Sequence, residues 1–150
     1  VNTSHCRELG TANYNGLAQS SELGKFSYNL DDISQMLWSA GVRLDRESGT
    51  ITFTVKLIKQ YLFTHISADE MQPISLEMRP DISVSCATAI VPGTDGFTCE
   101  LPGPHFPKGS FRGRFFGTKG EEIAGTFYLR VKNEQEFLDG GNVGAFIVKK

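Results

Sequence analysis

No stretch of this sequence approaches the 18 or so consecutive apolar residues of a membrane-crossing helix, so no transmembrane segment is expected. The opening residues VNTSHCRELG lack the charged and apolar regions of a secretion signal, and the chain reads as a mature or trimmed fragment. Phosphate-cradling G-x-x-x-x-G-K-[ST] loops, G-x-S-x-G elbows, H-E-x-x-H helices and C-x-x-C pairs are all missing. The three histidines, His5, His65 and His105, stand far apart with no carboxylate or cysteine at ligand spacing, so no metal site and no catalytic constellation is expected. Charge of one sign is missing too. With 15 basic against 17 acidic residues, no global field recruits nucleic acid or an anionic membrane.

Cysteine is scarce, and its count of three is odd, which leaves at least one thiol free or paired outside the chain. Cys86 and Cys99 flank the turn cluster VPGTDG, each on the apolar alternation of its own segment: Ile82, Val84, Cys86 before it and Phe97, Cys99, Leu101 after it. A two-residue loop at Pro92 and Gly93 would place them opposite one another, where a disulfide can form, whereas a longer loop would not. Two buried free thiols, or a bond from Cys6 to either partner, are the competing readings. Cys6 follows His5 rather than a small residue, so a lipid anchor is expected upstream rather than on Cys6.

What the chain has in quantity is period-2 alternation broken by Gly, Pro and Asp at short intervals, the pattern of an antiparallel barrel or sandwich. Ile51, Phe53, Val55 and Leu57 form the cleanest strand. Ile74, Leu76 and Met78 form another, and Ile82 to Val91 a third. One segment reads as helical: Asp31 and Asp32 as caps, followed by Ile33, Met36 and Leu37 on one side, for one or two turns before a strand at Val42. The Pro-rich loop LPGPHFPKG is expected at an end of the barrel. No linker or internal repeat divides the chain, so residues 1–150 are expected to form one domain, with 1–11 as lead-in.

The last third is the most distinctive. Phe111, Gly113 and Phe115 share one strand face, and Ile123, Gly125, Phe127, Leu129 and Val131 share the next, across the polar turn TKGEE. Glycines on a buried face relieve crowding where a small barrel closes. The run of Gly113, Phe115, Gly117, Glu121, Glu122, Ile123, Gly125, Phe127, then Gly144, Phe146, Lys149 and Lys150, resembles the C-terminal end of the transferrin-binding protein B-like β-barrel family. That family includes heparin-binding antigen, factor H-binding protein and hemophilin-type proteins. Ala12–Ala18 resembles its opening strand and Val42–Val55 its second hairpin.

The resemblance implies an all-β, antiparallel, up-and-down barrel of about eight strands, here with one short helical segment; the C-terminal barrel of a longer parent chain is one form it would take. It implies a non-catalytic domain of a bacterial surface lipoprotein, at the cell outer membrane surface or secreted, that binds a host protein or assists iron or haem acquisition. A bacterial outer-membrane receptor or export machinery is the other partner it implies. The alternative is a carrier of haem or another small apolar ligand. The eleven phenylalanines argue for a filled interior and so for the interaction module. Candidate binding residues are those expected to be exposed in loops beside turn chemistry: His105, Phe106, Phe137 and Leu138. Tyr61 and Phe63 are expected to continue a strand into the core. His105 is the candidate axial ligand should haem bind, against its ordinary reading as a solvated loop residue. Glu121 and Glu122 point to opposite faces and are read as turn solubility rather than an acid/base pair.

Overall fold

The computed structural model describes residues 11–23, 33–45, 47–67, 70–76, 82–91, 93–105, 107–130 and 141–150. They form nine antiparallel strands: β1 (Ala12–Leu23), β2 (Ile33–Asp45), β3 (Thr50–Ser67), β4 (Glu70–Leu76), β5 (Ser83–Ala89), β6 (Gly96–Leu101), β7 (Lys108–Phe116), β8 (Glu122–Arg130) and β9 (Gly141–Lys149). β1 to β4 and β6 to β9 each pair with their neighbours in the chain, β5 pairs instead with β3, and β9 returns to pair with β1. The long β3 pairs through its second half with β4 and through its first half with β5, so these two occupy one strand position. The result is a nearly closed, eight-position up-and-down barrel, one of the two architectures expected from the alternation and the strand number expected from the resemblance.

The helical reading of Ile33, Met36 and Leu37 is corrected: these residues lie in β2, and Asp31 and Asp32 fall outside the described residues. The spacing fits a helix turn, but Met36, Trp38, Ala40, Val42 and Leu44 alternate inward over the length of the strand, and all are buried. Once β1 and β3 flank the segment, ten residue pairs with β1 fix it as a strand.

Inward positions interlock by size. Ala18 lies between Trp38 on β2 and Phe146 on β9, while Gly144 faces Phe127 and leaves room for its ring. The centre is a cluster of rings: Phe53 lies 4.5 Å from both Phe111 and Phe146, and Phe111 stacks on Phe127 at 5.7 Å. Dense packing of this kind is where dispersion and burial reinforce one another. Trp38 donates its indole N–H to Ser20 Oγ at 2.8 Å, satisfying the polar atom that such a large buried side chain carries inside. The two glycines of the β7–β8 hairpin are register partners but serve different ends. A Cβ on Gly113 would stand 2.6 Å from the Phe97 ring, the crowding expected from the sequence. A Cβ on Gly125 would overlap the Arg112 carbonyl oxygen, so the close approach there is of backbone rather than of side chains.

One seam lacks a ladder. No hydrogen-bonded register joins β5 to β6, and the barrel is closed there by the Cys86–Cys99 disulfide, whose Cα atoms are 6.1 Å apart. The bond excludes both free thiols at these positions and any pairing of Cys6 with them. At β3, an extra residue at Ile58 bulges the strand where its partner changes from β5 to β4. The bulge lets Leu57 and Gln60 both face inward and turns Ile58 outward.

At the end holding the β7–β8 turn, Tyr14 is fully buried and donates its hydroxyl to the Gly120 carbonyl at 2.5 Å. Glu121 accepts a hydrogen bond from the Lys119 amide at 2.8 Å, so it orders the turn as well as solvating it. Tyr14→Phe is expected to lower stability by about 1 kcal/mol, the net worth of one such bond, in urea unfolding. A midpoint equal to wild type would show that the hydroxyl contributes nothing there.

Candidate functional site

The outer wall of the barrel alternates as its strands demand, and most outward positions are polar. β9 departs from this. Its inward residues are Asn142, Gly144, Phe146 and Val148, yet the outward Val143, Ala145 and Ile147 are apolar as well. Strand pairing carries the apolar surface sideways. Ile147 stands beside Leu17 on β1 and Ala124 on β8, and Val143 beside Tyr128 on β8. Leu17 is 55% exposed, Ile147 57%, Val143 47% and Tyr128 41%. The largest contiguous exposed apolar patch of a soluble protein is often an interaction site.

Beside this stripe lies an open groove of about 620 Å³ across β9, β1, β2 and β3. Its low point is the small Ser21, which sits between Val143 on one side and Gln35 on the other. Val143 and Ala145 form one wall, Leu37 and Tyr61 the opposite one. Tyr61 thus continues its strand as expected but is only half-buried, with its ring lining the groove rather than the core. Lys59 lies 5.2 Å from the centre of that ring, a cation–π contact at the groove lip.

Charges frame the apolar surface. On one side β3 presents Lys56 and Lys59, on the other β7 presents Arg112 and Arg114, all exposed. Arg114 is held by Asp95 at 2.8 Å, and Lys149 by Glu122 at 3.3 Å. Lys56, Lys59 and Arg112 form no ion pair among the described residues. Among the described residues, the carboxylates of Asp95 and Glu122 are thus engaged in ion pairs, while these three flanking cations are not. Hydrogen bonding and charge attraction from Arg114 lower the Asp95 pKa from its ordinary 3.8. A lowered carboxylate pKa means stability present above the ordinary value and lost as pH falls through the lowered one. Both partners are exposed, so the effect on stability is small. Asp95 is expected to titrate at higher pH in Arg114→Gln than in the wild type by carboxyl NMR; equal titration would show that the pair does not persist in solution.

The residues singled out from the sequence fare unevenly. His105 is exposed in the loop joining the neighbouring strands β6 and β7, the surroundings of a solvated loop histidine. Phe106, Phe137 and Leu138 lie outside the described residues. Cys86 and Cys99 are brought together in the seam. None of the loop candidates includes the β9 stripe, although its signal was present: the run VGAFIV is apolar on both faces of a strand whose neighbours alternate. Among the described residues no three His, Cys, Asp or Glu side chains cluster in a way that could hold a metal ion, and no helix is long and apolar enough to cross a membrane. The chain matches no protein-family model and no curated protein.

Proposed function

We propose that this chain is a non-catalytic binding barrel that engages another protein through the outer face of β8, β9 and β1. The observation that carries the reading is the stripe of Leu17, Val143, Ile147 and Tyr128, exposed over a core already filled by its own rings. Phe53, Phe111, Phe127 and Phe146 occupy the middle of the barrel, the space in which a small barrel would otherwise hold a ligand, and this favours the interaction module over the carrier. A buried disulfide fits a protein that works in an oxidising compartment.

The resemblance to the transferrin-binding protein B-like barrels supplies the setting: a bacterial surface or secreted protein whose partner is a host protein, in the service of nutrient capture. The stripe supplies the place on the molecule. The test is capture from host serum by the immobilised chain, beside a Val143→Glu/Ile147→Glu variant. Both residues are about half exposed, so the variant is expected to keep its melting temperature. It is also expected to lose at least about 2 kcal/mol of affinity, roughly a 30-fold weakening, as for central apolar anchors. Undiminished capture by a folded variant would move the binding face elsewhere, and a serum that yields nothing for the wild type would remove the host-protein reading.

A further inference from the structure

Resting on that reading, we infer that the face binds an extended, acidic segment of its partner, with an apolar anchor seated in the groove beside β9. Three observations converge. The groove is walled by apolar side chains on both sides, Val143 and Ala145 against Leu37 and Tyr61, with the small Ser21 between them, which suits an inserted side chain better than a flat surface. Its walls are apolar, while Gln19, Ser21 and Gln35 along its floor offer hydrogen bonds to a passing main chain. The third is charge: Lys59 stands at the groove lip against Tyr61, Lys56 beyond it, and Arg112 on the far side of the stripe, with no carboxylate engaging any of them among the described residues.

Strand order sets the spacing. Lys59 on β3 lies three strands from β9, and Arg112 on β7 lies two strands from it in the opposite direction. At about 4.8 Å between strands, these separations are roughly 14 Å and 10 Å, which an extended chain covers in about four and three residues. The segment that fits therefore runs across the strands. It carries an apolar or aromatic residue in its middle and a carboxylate three to four residues away on each side. Such electrostatic matching sets partner choice and the rate of encounter.

The probe is a fluorescein-labelled pool of synthetic peptides with a Phe-Leu centre, an aspartate three to four residues to either side and randomised uncharged residues between. It is compared with the same pool carrying lysine in place of aspartate. Anisotropy with the intact chain is expected to show saturable binding of the aspartate pool alone, weakened by added salt. Lys56→Glu/Lys59→Glu/Arg112→Glu, which alters only exposed side chains, is expected to weaken binding at least about tenfold while retaining the wild-type melting temperature. Equal binding of both pools, no saturable binding of either, or binding only to phosphatidylglycerol vesicles would overturn the inference. If serum capture is lost in Val143→Glu/Ile147→Glu but untouched by the triple charge reversal, the binding face stands and the acidic segment falls.

Discussion

Removing the Cys86–Cys99 bond is expected to lower the stability of the barrel by about 3 kcal/mol, the chain-entropy estimate for a loop near this length. The bond acts where no other cross-strand device does. Every other neighbouring pair around the barrel shares a hydrogen-bonded register, whereas β5 and β6 meet without one. Both strands are already edges, each with one side of its backbone outside any ladder, and without the bond nothing covalent holds the two edges together. Phe97 on β6 and Val84 on β5 would also lose the constraint that keeps them over the core. Both sulfurs are buried, so reductant has to be applied in denaturant before refolding; alternatively, a Cys86→Ala/Cys99→Ala variant can be used. Urea unfolding then measures the difference, and amide exchange in β5 and β6 is expected to quicken before that in β1 and β9. Equal midpoints for the oxidised and reduced chains would mean that side-chain packing alone closes the seam.

Phe53→Ala is expected to cost about 3–5 kcal/mol, the range for emptying an aromatic site in a packed core. Phe53 is fully buried, and its ring contacts Phe111 across the barrel from β3 to β7 and Phe146 on β9. It is thus a tie between two sides of the wall that share no ladder. Against the 5–15 kcal/mol of a typical domain, this loss brings the chain close to unfolding. Phe116→Ala, at an outward position on β7 that is nearly half exposed, is expected to change stability by less than about 0.5 kcal/mol. The pair of variants, followed by urea unfolding, separates core from surface phenylalanines. A loss at Phe53 below about 1 kcal/mol would show that the rings do not pack as the centroid distances indicate.

Alternation made most of this fold legible. Ile51, Phe53 and Val55, or Phe111, Gly113 and Phe115, announce their inward face because one side of each strand is apolar and the other polar. The segment at Ile33 did not, since its three apolar residues fit a helix turn equally well until the strand beyond them is included; pairing to β1 and β3 decides between the two. The bulge at Ile58 was equally illegible, because an extra residue is defined by the partner strand rather than by the chain that carries it. The binding face was half legible. That β9 is apolar on both sides can be read from VGAFIV, but its lateral extension through Leu17 and Tyr128 depends on register. So does the convergence of Lys59 and Arg112 from segments far apart in the sequence. Attention to bulky apolar residues in loops led instead to Phe106, Phe137 and Leu138.

The central claim is that binding occurs on the outer wall around β9 rather than inside the barrel or at His105. Methyl NMR of the chain titrated with the serum protein it retains tests this most directly. Broadening or shifts concentrated at the methyls of Leu17, Val143 and Ile147, with those of the buried Val55 and Val84 unchanged, is the predicted result. Perturbation of the core methyls, or of the His105 imidazole with the β9 methyls silent, would contradict it.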